Sequence, residues 1–77
     1  MMKIEERIRQ ADLAMQSATV SLEGLTPAEI KLADQLCLHF KLPLGTLLRR
    51  ASAIELIGGA ESVTDRLREA AQHLIYV

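Results

Sequence analysis

Apolar and small side chains recur at alternating steps of four and three residues near both ends of this 77-residue chain. Steps of three and four place side chains on one face of an α-helix, whereas a strand requires strict alternation. The spacing therefore predicts one amphipathic helix from Lys3 to Leu22 and another from about Val63 to Ile75. The two apolar stripes are Ile4, Ile8, Ala11, Met15, Ala18 and Leu22 in the first helix, and Val63, Leu67, Ala70, Leu74 and Val77 in the last.

Two further helices are predicted between these. Thr26-Pro27-Ala28-Glu29 has the composition of a capping box, with a capping hydroxyl, a proline in the first turn and a glutamate three residues after the cap. It begins a second helix over 27–40, and Pro43 then forces an extended connector. A third helix follows over 44–57 and ends at Gly58-Gly59. The inward faces are predicted to carry Ile30, Ala33, Leu36, Cys37 and Phe40 in the second helix, and Leu44, Leu47, Leu48, Ala51 and Ile54 in the third.

The predicted fold class is all-α, a single small domain in which about four helices form a bundle. A long N-terminal helix occupies 1–24, a helix-turn-helix-like pair occupies 26–57, and a C-terminal helix lies within 60–77. A single core in a chain of this length contributes only about 3–5 kcal/mol. Apolar residues make up 49% of the chain, but the only aromatic ones are Phe40 and Tyr76. We therefore expect a partner or a second copy to supply further burial.

Composition also limits the kind of partner. A net charge of −1 disfavours a strongly electrostatic binder of nucleic acid or membranes. The single cysteine, Cys37, cannot form an internal disulfide and indicates a reducing compartment. No apolar run has the length of a membrane span. These features predict a soluble, cytoplasmic protein that has no membrane partner.

Residues typical of catalytic and metal sites are sparse. His39 and His73 are far apart and have no Cys or carboxylate at metal-ligand spacing, whereas a zinc site needs three or four ligands. Gly58-Gly59 lacks the Lys-Ser/Thr of a P-loop, and no Ser/His/Asp or Cys/His arrangement stands out. The sequence therefore predicts a protein that is not an enzyme and that uses neither a metal nor another cofactor.

The stretch Ser17–Leu25 holds a hydroxyl residue, Thr19, four positions before a carboxylate, Glu23, and Gly24 follows directly. In a helix, Thr19 and Glu23 would lie on one face a single turn apart, and Gly24 would supply the left-handed stop. A carboxylate in the last helical turn is disfavoured by about 0.3–1 kcal/mol unless a cation meets it. Glu23 is therefore either an ordinary exposed residue or one that is placed to pair with a cation.

The pattern Thr19-x-x-x-Glu23-Gly24 resembles the inhibitory motif of the small antitoxins that silence Fic-domain toxins. That motif is Ser or Thr, three free residues, Glu, then Gly or Asn. The resemblance covers about residues 3–50 and is weak beyond Leu25, because Lys41–Gly45 replaces the acidic Gly-Glu turn of the family. The looser family signature fits at Ala14, Ser17, Ala18, Leu22, Leu25 and Pro27.

The resemblance implies a partner and a mechanism. Fic toxins transfer AMP from ATP to a protein hydroxyl, and an Arg in their active-site motif binds the γ-phosphate of ATP. In the family, the antitoxin's helix docks beside this site, and its Glu pairs with that Arg so that ATP cannot align for attack. Carried over to this chain, Glu23 binds the toxin's Arg, Thr19 makes a hydroxyl contact one turn earlier, and Gly24 ends the helix.

A family of a different class is also similar. Leu25–Glu29, Leu42-Pro43 and Leu47–Ala51 are similar to the two helices of ribbon-helix-helix DNA-binding proteins, which include plasmid relaxosome proteins and antitoxin repressors. In that family a strand before the first helix pairs with a second copy and enters the major groove, and Ala18–Leu22 would be that strand. The DNA-contacting residues would then be Thr19, Ser21, Arg49 and Arg50, the last two forming the only clustered basic pair and pointing away from the core together.

Strand parity and charge argue against this alternative. If 18–22 is a strand, Val20 and Leu22 would face the DNA. A bulge at Gly24 corrects the parity, but it turns Glu23 toward phosphates that repel it. No segment is strongly basic, as a groove binder usually is. A helix over 18–22 favours the antitoxin, a strand favours DNA binding, and a plain helical interaction module is a third interpretation.

Overall fold

The computed structural model describes residues 3–76, and four α-helices account for most of this part of the chain. No β-strand forms between residues 3 and 76. The predicted all-α bundle of four helices is therefore confirmed. Val77, which was predicted to end the last apolar stripe, lies outside the described residues. The helices are α1 (Ile4–Ala14), α2 (Pro27–Phe40), α3 (Leu44–Ile57) and α4 (Val63–Ile75), with a 3₁₀ turn at Met15–Ser17.

Hydroxyl side chains cap the starts of α2 and α4. The Thr26 hydroxyl accepts a hydrogen bond from the Glu29 backbone N–H at 3.2 Å, and the Glu29 carboxylate accepts from the Thr26 N–H at 2.8 Å. The Ser62 hydroxyl accepts from the Asp65 N–H at 3.0 Å. Caps of this kind contribute about 1 kcal/mol each, and they begin both helices at the residues that the sequence predicts.

α3 is the central helix and packs against each of the other three. Leu47 and Ile54 from α3 and Leu67 from α4 are the largest fully buried side chains among the described residues. Most other core positions hold alanine, which lets helices approach closely but removes little apolar area from water. The core is therefore thin. Its buried alanines are Ala11, Ala33, Ala53, Ala60, Ala70 and Ala71.

α2 buries less of its face than the sequence predicts. Ala33 is fully buried, and Cys37 is half-buried against the core, where burial raises the pKa of its thiol. Phe40 was predicted to face inward, but it is 36% exposed, and its ring meets the His39 ring edge-on with centroids 4.6 Å apart. Phe40 is the last residue of α2, and Lys41 turns the chain away in the left-handed conformation before the ring can enter the core.

The prediction that the first helix continues to Leu22 is wrong. α1 ends at Ala14, and after the 3₁₀ turn Ala18 is extended, with φ −81° and ψ 146°. The β-branched residues Thr19 and Val20 disfavour a helical turn here. In addition, α3 supplies other hydrogen-bond partners for the backbone of this stretch, as the next subsection describes.

The prediction that Arg49 and Arg50 point away from the core together is also wrong. Arg50 is only 5% exposed, and its guanidinium donates to three groups: Nε to His73 Nδ1 at 3.1 Å, Nη1 to the Asp12 carboxylate, and Nη2 to the Ile8 carbonyl at 3.0 Å. The charge is tolerated inside because each of these hydrogen bonds is satisfied. Arg50 therefore joins α3 to both α1 and α4.

The first and last helices are also linked directly by side chains. Arg7 in α1 makes a bidentate pair with Glu69 in α4, at 2.8 and 2.9 Å. The Tyr76 hydroxyl donates to the Glu5 carboxylate at 2.8 Å, which lowers the pKa of Glu5 and raises that of Tyr76. These contacts bring the two ends of the described chain together.

We expect Arg50→Ala to destabilise the fold by about 3 kcal/mol, because it leaves buried acceptors on His73 and Ile8 without a donor, and each such acceptor costs about 1–3 kcal/mol. Urea unfolding followed by circular dichroism measures the change. Arg68→Ala removes an exposed guanidinium from α4 and should change stability by less than about 0.5 kcal/mol. A loss no larger than that of the Arg68 variant would contradict the structural role of Arg50.

Candidate functional site

The motif segment, residues 18–25, has no regular secondary structure: it begins at Ala18, whose backbone is extended, and ends in a tight turn. The Leu25 N–H donates to the Leu22 carbonyl at 3.3 Å, and Gly24 has φ +83°. A positive φ at the third position of such a turn is the signature of a type II β-turn, where glycine is favoured. Gly24 thus adopts the left-handed conformation expected of it, but within a β-turn rather than at a helix end. Glu23 occupies the corner of this turn.

Two side chains of α3 attach the beginning of the motif segment to the bundle. Arg49 Nη2 donates to the Met15 carbonyl at 2.9 Å, and the Ser52 hydroxyl accepts from the Thr19 N–H at 3.2 Å. Arg49 and Ser52 are three residues apart on α3, so they lie on the same side of that helix. These two contacts with α3 therefore fix the direction in which the chain leaves α1.

The polar side chains of the motif segment border a cavity, and both its polar and its apolar side chains reach solvent. Thr19, Ser21 and Glu23 line a cavity of about 230 Å³, whereas Val20 is 55% exposed and Leu22 46% exposed. Thr19 and Glu23 therefore border the same cavity, although the helix that was predicted to place them on one face does not form.

The cavity beneath the motif segment is closed by α3 and α4. Its floor includes the buried side chains of Leu48 and Leu67. Its polar wall includes Glu55 and Arg66, whose charged groups are 3.7 Å apart. Arg66 also donates to two carbonyls in the loop before α4, so its guanidinium is already engaged. With Glu23 at the rim, the cavity is better suited to a cationic group than to a phosphate.

The carboxylate of Glu23 is exposed, and it makes no hydrogen bond or ion pair within residues 3–76. Its backbone N–H is held instead, donating to the Ser21 hydroxyl at 3.0 Å. The backbone at the corner of the turn is thus fixed while the charged end of the side chain stays available. The carboxylate of Glu23 is therefore open to solvent.

The residues predicted for DNA contact do not form one surface. Arg49 is exposed beside the motif segment but bonds the Met15 carbonyl, and Arg50 is committed to the interior. Ser21 and Thr19 face the cavity. Of the two arginines predicted for DNA contact, Arg49 alone is exposed beside the motif segment.

A second, larger cavity of about 410 Å³ opens between α1 and α4. Its walls hold Arg7, Glu69 and His73, which belong to the polar network around Arg50. The His73 Nδ1 accepts from Arg50, so its Nε2 carries the proton and donates to Glu69 at 2.9 Å. Every charged group in this network has an internal partner, which points to a structural role.

Burial and neighbouring charges shift the pKa values of His73 and Glu69 in this network. Burial, followed by the positive charge of Arg50, lowers the pKa of His73, although Glu69 opposes the shift. The hydrogen bond from Arg7 lowers the pKa of Glu69. Sequence reasoning missed this network, since the only local signal is the four-residue spacing of Glu69 and His73 on α4, while Arg7 is 62 residues from Glu69.

Neither cavity has the donors of a metal centre. Between residues 3 and 76, no three His, Cys, Asp or Glu side chains are grouped so that they could share an ion. None of the helices in this part of the chain combines the length and apolarity that a membrane crossing requires. The chain matches no protein-family model, no curated protein sequence and no solved structure.

The buried histidine predicts a pH-dependent stability. Because the folded state lowers the pKa of His73 below its ordinary value of about 6.5, the unfolded chain binds a proton first as the pH falls. The free energy of unfolding should therefore be constant between about pH 7 and 8 and should decline as the pH drops below 6.5. Glu69 adds a further loss below its ordinary value of about 4.5.

Urea unfolding between pH 7.5 and about 5 tests this dependence. His73→Gln keeps an acceptor and a donor but does not titrate, so the decline around pH 6 should largely disappear. His39→Gln, at the exposed end of α2, should retain it. A decline of equal size in both variants would show that His73 is not its source.

Proposed function

We propose that this chain is an antitoxin that inhibits a Fic-domain AMP-transferase by placing Glu23 on the Arg that binds the γ-phosphate of ATP. The observation that carries the proposal is the exposed Glu23 carboxylate, held at the corner of a glycine turn and without a partner among residues 3–76. Thr19, the other position of the motif, borders the same cavity as Glu23. The resemblance to the inhibitory motif supplies the identity of the partner.

The chemistry of the pair is well matched to inhibition. A carboxylate and a guanidinium form two parallel charge-assisted hydrogen bonds, which makes the pair strong and directional. A γ-phosphate uses the same guanidinium donors, so the two ligands exclude one another. Glu23 therefore needs no contact with the reacting α-phosphate to stop AMP transfer.

The apolar side chains beside Glu23 support a protein partner. Val20 and Leu22 point outward on the motif segment and are about half exposed. Covering the exposed part of each would contribute about 1 kcal/mol. A surface that covers them also excludes water from the neighbouring carboxylate, which strengthens its pairing with a cation. In this proposal the chain acts in the cytoplasm, as the unpaired Cys37 indicates, and uses no cofactor.

We expect Glu23→Gln to release AMP transfer by the Fic-domain protein that a neighbouring gene encodes. A charged hydrogen bond contributes about 1.5–3 kcal/mol, so about 10- to 100-fold more variant than wild type should be needed for the same inhibition. Transfer of labelled AMP from ATP measures inhibition, and calorimetry measures binding of the two proteins separately. Glu6→Gln, an exposed carboxylate on α1, is the matched control and should inhibit as wild type does.

The same assay can contradict the proposal in two ways. Inhibition that is unchanged by Glu23→Gln would remove Glu23 from the mechanism. A Fic-domain protein that neither binds the chain nor is slowed by it would reject the antitoxin role. Loss of folding is excluded by comparing the circular dichroism of the two variants.

DNA binding as a ribbon-helix-helix dimer is a second candidate, because one observation favours it. Ala18 is extended and residues 19–22 are not helical, and α2 and α3, which follow, have the bounds that the sequence predicted for the two helices of this resemblance. The burial of Arg50 counts against it.

Light scattering and a gel shift separate the two candidates. Under the antitoxin proposal the chain alone should not retard DNA from upstream of its own gene at physiological salt. A dimer whose DNA binding weakens steeply with added salt and is lost in Arg49→Ala would favour the second candidate. Arg68→Ala removes the same charge from α4 and serves as the control.

A further inference from the structure

The contacts at the end of α1 replace one specific helical hydrogen bond. If α1 continued, the Thr19 N–H would donate to the Met15 carbonyl, four residues earlier. In the structure both halves of that bond have other partners. The Thr19 N–H donates to the Ser52 hydroxyl, and the Met15 carbonyl accepts from Arg49 Nη2 and from the Ala18 N–H. Because a carbonyl has two lone pairs, the Met15 oxygen is fully used.

From this we infer that Arg49 and Ser52 form a latch that holds residues 15–22 out of a helix that these residues otherwise adopt. The latch acts on the backbone at the point where the next helical turn would close. It thereby sets the direction in which the motif segment leaves α1. The inference concerns the free chain, and it does not depend on the identity of the partner.

The sequence of the segment supplies the alternative helical state. Met15, Ala18 and Leu22 continue the apolar stripe of α1 at steps of three and four, so a helix through Leu22 would prolong the face that buries Ala11. The observed extended state instead leaves Leu22 46% exposed. Apolar burial thus favours the helix, and the two contacts with α3 favour the extended state.

The two side chains of the latch are separate from the Arg50 network and from the buried core. Arg49 is exposed and bonds only a backbone carbonyl among the described residues, and Ser52 is reached by a backbone N–H. Neither side chain belongs to the network around Arg50 or to the fully buried core. Both can therefore be removed without emptying the interior of the bundle.

The test uses the double variant Arg49→Ala/Ser52→Ala of the complete free chain. NMR Cα chemical shifts report the backbone conformation of residues 15–22 one residue at a time. In the wild type we expect the shifts of residues 18–22 to deviate in the extended direction, and in the double variant to change sign to the helical direction. The shifts of α2 and α4 should stay helical in both, which shows that the fold is intact.

Two further variants make the result specific. Arg68→Ala carries the same loss of charge on α4 and should leave the shifts of residues 15–22 unchanged. Val20→Pro, added to the double variant, should abolish the helical shifts, because proline cannot occupy a helix interior. Shifts that remain extended in the double variant, or that collapse to random-coil values, would both overturn the inference.

The outcome is separable from that of the AMP-transfer assay. A latch that fails this test leaves the role of Glu23 as an inhibitor standing, because that role requires only an available carboxylate. A failure of the antitoxin role leaves the conformational result unaffected, since no partner is present in the NMR experiment.

Discussion

The guanidinium of Arg50 is the interaction on which this bundle depends most. α3 packs against α1 and α4, and the Arg50 guanidinium adds polar bonds to both, ending on Asp12, His73 and the backbone of Ile8. A core made largely of alanine removes little apolar area from water per residue. Polar bonds therefore contribute much of what fixes the helices relative to one another. A buried charge is stable only when its bonds are made. The relative placement of three helices is therefore fixed by one side chain whose three acceptors must be present together.

The parts of the fold that could be predicted are those governed by local signals. Thr26 and Ser62 indicate helix starts, because a capping residue and its partner are three residues apart. The periodicity of α3 and α4 indicates which of their faces are buried. Arg50 lies on the buried stripe, three residues after Leu47 and four before Ile54. Its burial was missed because its charge argued for solvent, and its partners Asp12 and His73 lie 38 and 23 residues away. Polar networks between distant positions become visible only once the helices are placed.

The candidate site was predictable only in part. Thr19 and Glu23 border one cavity, although the helix expected to bring them together does not form. The end of α1 was missed because its stripe continues into residues that α3 binds instead. As a result the motif segment is not the helix expected of an antitoxin. The features that bear on function are its exposed carboxylate and its outward apolar side chains.

The hydrogen bond between Tyr76 and Glu5 gives the chain a nearly circular course, since it joins the ends of the first and last helices. Because the two ends lie together, the order of the helices along the chain can be changed without moving them in space. A short peptide joining residue 76 to residue 3, with new ends opened at Pro43 in the exposed connector between α2 and α3, would leave the Arg50 network and the motif segment untouched. Such circular permutation would leave α3, α4 and α1 before the motif segment and only α2 after it.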